Sequence, residues 1–120
     1  MVDVIQIPAF KDNYIWLLRK GASAAVVDPG EAQPVIEVLQ KNQISLVAIL
    51  ITHHHKDHQG GVERLLVDWP NAEVAGPARE SISGLGRPVV GGERLRIESL
   101  DLELRVMAVP GHTLGHVAYY

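Results

Sequence analysis

Four of the chain's six histidines and one aspartate fall within six consecutive positions: His53, His54, His55, Asp57 and His58, in "ITHHHKDHQGG" at 51–61. Imidazole nitrogen and carboxylate oxygen both bind zinc, and with no cysteine in the chain a metal here must use N and O donors. In an extended loop His53 and His55 project to one side and His54 to the other. The outer two make half a metal site, and His54 is expected to point away from it. Asp57 and His58 are adjacent, where the chain is expected to turn into a helix beginning near Gln59 whose N-terminus helps keep Asp57 ionised. They can serve a second metal beside the first. A catalytic zinc takes three protein ligands and keeps a position for water, so His112 in "PGHTLGH" is the expected third ligand of the first metal.

Two metals roughly 3.5–4 Å apart can share a hydroxide whose parent water has its pKa lowered from about 15.7 to around 7. The nucleophile would then be solvent. Serine chemistry is a poor competitor, because Ser23, Ser45, Ser81, Ser83 and Ser99 are in no G-x-S-x-G turn. A lone histidine on a loop is usually solvated, but H-x-H-x-D-H, at about 5% per specified position, arises by chance in roughly one chain per thousand of this size. A histidine tag would lack the aspartate, the Gly60–Gly61 pair and the apolar strand before the cluster. His116 is expected to pack or hydrogen-bond beside a ligand rather than to bind metal. Asp28, at a strand end, is either an ordinary turn residue or a hydrogen-bond brace for the metal loop, and Thr52 and Thr113 are similar. Gly84-Leu85-Gly86 and Gly91-Gly92 read as turns, since neither precedes a helix with a Lys-Ser/Thr pair.

The elements that must hold these residues are legible as periodicities. Val2–Pro8, Tyr14–Leu18 and Ala24–Val27 read as three opening strands. "DPG" at 28–30 ends the third, and Ala32, Val35, Ile36 and Leu39 follow at helical spacing, with Glu31 at the start and Lys41 near the end as the helix dipole favours. "LVAILI" at 46–51 is a continuous apolar run, as for a strand buried on both faces and therefore covered by helices. The histidine cluster follows it directly. Val62, Leu65, Leu66 and Trp69 make a second helical stripe that Pro70 ends, which places the cluster on a strand-to-helix loop. From Glu73 onward, "EVAGP", "RPVVGGERLRI" and "LDLELRVMAVPG" read as short strands of an antiparallel meander, with a further short helix conceivable only over Ala78–Ser83.

At 120 residues and 47% hydrophobic, the chain has the size and composition of one globular domain or part of one. A net charge of −3 with scattered lysines and arginines lacks the footprint of a nucleic-acid partner. No apolar run approaches the roughly 18 residues of a membrane span and the N-terminus has no leader pattern, so a cytoplasmic location without membrane contact is expected. "HVAYY" ends on a strand-like run, as expected for a fragment of a longer protein.

H-x-H-x-D-H after an apolar strand, followed by a later G-H, resembles the metallo-β-lactamase superfamily. "IPAFKDNYIWLL" at 7–18, "VDPGEAQPV" at 27–35, "THHHKDHQGG" at 52–61 and "VPGHTLGHVAYY" at 109–120 together resemble the first half of the glyoxalase II (hydroxyacylglutathione hydrolase) family within it. The resemblance implies an α/β fold, the αββα sandwich, of which residues 1–120 supply about the first half. It implies two zinc ions per complete site, iron or manganese being possible substitutes, with His53, His55 and His112 at one and Asp57 and His58 at the other. It implies hydrolysis of S-D-lactoylglutathione to D-lactate and glutathione, a step of methylglyoxal detoxification, by attack of metal-bound hydroxide on the thioester, with Asp57 helping to orient the nucleophile. A bridging aspartate, a further histidine and the glutathione-binding residues of the family belong to a C-terminal segment after Tyr120, the expected partner of this half. Alternatives are a lactonase or β-lactamase of the same fold, a mononuclear iron sulfur dioxygenase, a ribonuclease Z-like enzyme, which the acidic balance disfavours, and an inactive metal-binding fragment.

Overall fold

The computed structural model describes residues 3–9, 13–52, 61–77, 85–108 and 117–119. Two antiparallel hairpin pairings open the chain: β1 (Asp3–Ala9) on β2 (Asn13–Lys20), and β2 on β3 (Ser23–Val27). The connection between the last two turns at Gly21, whose φ of 61° suits a residue without a Cβ. From β3 onward the first sheet is parallel. It adds β4 (Ser45–Leu50), β5 (Glu73–Pro77) and β6 (Arg87–Val89), in the order β1-β2-β3-β4-β5-β6.

Parallel neighbours need crossovers, and among the described residues two of these carry helices: α1 (Gln33–Lys41) between β3 and β4, and α2 (Val62–Asp68) between β4 and β5. Right-handed crossovers that advance in one direction along a sheet put their helices on one face. Accordingly Val35, Ile36 and Leu39 of α1 and Val62 and Leu65 of α2 share one buried cluster with Ala24, Val26, Leu46, Ile49 and Ile51 of the sheet. Lys41 lies in the last turn of α1, as expected, whereas Glu31 precedes the helix, whose first turn holds no acidic residue because Pro34 and the Ala32 cap set its start at Gln33. The helix α2 begins three residues later than Gln59, which with Gly60 lies outside the described residues.

The opposite face of the sheet packs on a second, three-stranded sheet of β7 (Arg94–Ile97), β8 (Leu102–Ala108) and β9 (Val117–Tyr119), with a 3₁₀ turn at Glu98–Leu100 between the first two. Ala25, Ala48, Leu50, Ala75 and Val89 meet Leu95, Ile97, Leu100 and Val106 there. Strand β4 is therefore buried on both faces, as its unbroken apolar run predicts. Its register with β3 shifts between Ala24↔Leu46 and Ala25↔Ala48, so Val47 is an extra residue. That bulge keeps Leu46 on the helix side with Ile49 and Ile51, while Ala48 and Leu50 face the second sheet.

The expected meander is confined to β7-β8-β9. Glu73–Pro77 and Arg87–Val89 instead extend the first sheet in parallel. Short strands punctuated by Gly and Pro look alike in either setting, because direction is set by the crossover before each strand. Pro88 lies on β6, the edge strand among the described residues, where a missing N–H is tolerated. Residues 78–83, where a short helix was conceivable, lie outside the described residues. No described helix is long and apolar enough to cross a membrane.

Candidate metal centre

The carboxyl ends of β3 and β4 lie side by side, which is where open α/β sheets collect their functional groups. The peptide after β3 continues the ladder for one more bond: the Asp28 N–H donates to the Leu50 carbonyl at 2.8 Å. On the other side of β4 the Ile51 N–H donates to the Ala75 carbonyl at 2.8 Å. Leu50 and Ile51 are thus tied to both neighbouring strands, and the position of Thr52 follows.

At Asp28 the chain leaves the sheet through a left-handed conformation, φ 52°, which aspartate tolerates better than most residues. Its carboxylate accepts two hydrogen bonds from one residue: Thr52 N–H to Oδ1 at 2.8 Å and Thr52 Oγ1–H to Oδ2 at 2.7 Å. Asp28 is thus hydrogen-bonded to Thr52 rather than standing alone as a turn residue. It fixes the residue immediately before His53.

The same turn meets the other side of the cluster. Beyond Asp28, the Gly30 N–H closes back on the Asp28 carbonyl at 2.8 Å, and the Pro29 carbonyl accepts from the Gly61 N–H at 2.7 Å. Pro29, Gly30 and Gly61 are buried. Neither Pro29 nor Gly61 stood out in the sequence as part of the site; the Gly60–Gly61 pair directly after the cluster was the available signal.

His53, His55, Asp57, His58 and His112, the expected ligands, lie outside the described residues, as do His54, Thr113 and His116. All six histidines are in that set, and among the described residues no group of three His, Asp or Glu side chains could hold a metal. The donor chemistry of the cluster, imidazole with carboxylate and no thiolate, fits zinc and is compatible with iron or manganese.

Beside the brace lies a cavity of about 390 Å³ whose lining includes Trp16, Leu18, Val27 and Leu104 together with Asp28 and Thr52. Trp16 and Leu18 alternate onto the inter-sheet side of β2, and Trp16 is 42% exposed.

A helix-covered sheet stacked on a second sheet, with the sequence H-x-H-x-D-H following the fourth strand, defines a layered α/β protein with a cluster of candidate metal donors at the carboxyl end of its sheet. The family model described as "Metallo-beta-lactamase superfamily" matches residues 10–120, and the chain belongs to that superfamily. It is 57% identical over all 120 residues to the hydroxyacylglutathione hydrolase of Dechloromonas aromatica, covering 44% of that protein. It is 53% identical to the hydroxyacylglutathione hydrolase of Methylobacillus flagellatus, covering 48% of it. The chain therefore spans about half the length of the curated relatives it matches.

Among solved structures, the BLEG-1 B3 metallo-beta-lactamase superposes with a TM-score of 0.83 at 24% identity, over 98% of this chain and 66% of that one. ETHE1 from Myxococcus xanthus superposes at 0.77 with 23% identity, over 100% of this chain and 53% of that one. Both likenesses establish the fold: three layers of the αββα sandwich, one of helices and two of sheet, are present among the described residues, with 66% of the first neighbour and 53% of the second matched.

Proposed function

We propose that the whole protein is a thioester hydrolase that converts S-D-lactoylglutathione and water into D-lactate and glutathione, with residues 1–120 forming the N-terminal part of its catalytic domain. The observation that carries this is identity of 57% and 53%, across the whole of this chain, to proteins named hydroxyacylglutathione hydrolase. The brace at the foot of the histidine cluster supports it, since donors that must converge on metals need a fixed starting point.

In this proposal His53, His55 and His112 hold one zinc and Asp57 and His58 the other. Bound zinc supplies Lewis acidity, lowering the pKa of water to about 7 and polarising the thioester carbonyl. Asp57 orients the nucleophile. Asp28 and Thr52 set where His53 begins, and His116 hydrogen-bonds or packs beside His112. A bridging carboxylate, a further histidine and the groups that hold the glutathione carboxylates are assigned to a C-terminal segment. A cytoplasmic site of action suits a glutathione substrate and a chain without cysteine.

Parallel assays of the zinc-loaded full-length protein with S-D-lactoylglutathione, a lactone and a β-lactam test the proposal. Thioester turnover well above the other two is expected. Lactone or β-lactam turnover without thioester hydrolysis would overturn it.

A further inference from the structure

Gly61 has φ −93° and ψ −4°, a conformation open to any residue, so its backbone angles do not explain why a glycine stands there. Space does. A Cβ on Gly61 would lie 2.7 Å from each of three backbone atoms, the Pro29 oxygen, the Glu31 carbonyl carbon and the Ala32 nitrogen, where ordinary contact begins near 3.4 Å. No side-chain rotation relieves a clash with backbone. The start of α2 is thus seated directly on the turn that leads into α1, and the 2.7 Å hydrogen bond from Gly61 to Pro29 locks the seat. Five residues of one turn, Asp28 to Ala32, hold Thr52 at one side of the histidine cluster and Gly61 at the other.

We propose that this turn is a two-point clamp on the segment between Thr52 and Gly61, and that Gly61 is the positioning residue of its far point, governing the second metal more than the first. This rests on the metal assignment above, in which His53 and His55 follow the Thr52 end while Asp57 and His58 precede the Gly61 end. Metal–ligand distances tolerate only about 0.2 Å. A side chain at Gly61 must displace the start of α2 by several tenths of an ångström, beyond that tolerance. Loss of the Thr52 hydroxyl loosens the opposite end.

Zinc titration against a chromophoric chelator, with cobalt(II) absorption spectra as a second readout, tests the clamp in the full-length protein. Gly61→Ala is expected to weaken the second metal at least tenfold and the first less than threefold, and Thr52→Val the reverse, with Thr52→Ser restoring wild-type affinity. Gly86→Ala, where a Cβ meets nothing within 4 Å, should match wild type. Fewer than two metals in the wild-type protein would overturn the metal assignment itself. Two metals in the wild type and unchanged affinities in Gly61→Ala, or equal losses at both metals, would overturn the clamp alone. Should Gly61→Ala not fold, hydrogen exchange of the metal-free wild type decides: the Thr52 and Gly61 amides should exchange as slowly as those of β4, and unprotected rates at either would overturn the proposal.

Discussion

Thr52 gives both of its donors to the two oxygens of one carboxylate, Asp28, 24 residues earlier in the chain. Hydrogen bonds to an ionised acceptor are about twice as strong as neutral ones, and this pair sits partly buried at the junction of two strands.

Replacing Asp28 by Ala should therefore cost about 3 kcal/mol, from the two lost bonds and from alanine's reluctance to adopt φ 52°. Asp28→Asn should cost roughly 1 kcal/mol, because asparagine accepts the left-handed conformation and can still bond Thr52 through its amide. Urea unfolding of both variants measures the difference, and equal losses would mean the brace contributes little.

His53→Ala or His55→Ala should lower the zinc content of the purified protein by at least half, while His54→Ala leaves it near wild type. The expectation rests on the general alternation of side chains in extended chain, where the middle of three successive residues faces the opposite side from the outer two. Elemental analysis of the three variants is sufficient, and equal losses would remove the geometric basis for dividing them.

Leu65 is fully buried between α2 and the first sheet, whereas Val67 on the same helix is 72% exposed. Leu65→Ala should lower stability by about 3 kcal/mol and Val67→Ala by less than about 0.5 kcal/mol. Because α2 begins directly after Gly61, the first variant should also lose zinc more readily. Thermal melts with and without excess zinc would show both effects.

The Asp101 carboxyl is held below its ordinary range, first by the hydrogen bond from Arg96 at 2.6 Å and then by the charge of Lys20 across the sheets. With its folded pKa below the unfolded value of about 3.9, the unfolded state binds more protons in the interval between them, and stability rises with pH there. The contribution is complete above the unfolded value and is lost as pH falls through the folded one. Asp101→Asn, which keeps a residue suited to φ 48°, should flatten the acid limb of the stability curve slightly, and less so in high salt. Melts between pH 2 and pH 6 at two ionic strengths would record this.

The opening strands, both helices and β4 were legible because each buries its apolar residues at a fixed local period: Val35, Ile36 and Leu39 on one helix face, Leu46 to Ile51 without interruption. The direction of β5 and β6 was not, since nothing in Glu73–Pro77 or Arg87–Val89 distinguishes a parallel edge from a meander. The candidate ligands were visible as a density of imidazole. Their supports were only half visible: Asp28 and Thr52 could be suspected from residue type, but the reason for Gly61 lies in backbone atoms about thirty residues away, and no local pattern records it. The extra residue at Val47 was hidden likewise, because an unbroken apolar run reads the same with or without a bulge.

In the first sheet every strand lies beside the one made just before it, from β1 through β6. During synthesis none of these six described strands has to wait for a later one of the six, and they can add at a single edge as the chain emerges from the ribosome. Asp28 is synthesised before Thr52, and Pro29 before Gly61, so the residues that bond both ends of the histidine segment precede it in the chain. By Val89 the six described strands of that sheet have all been made.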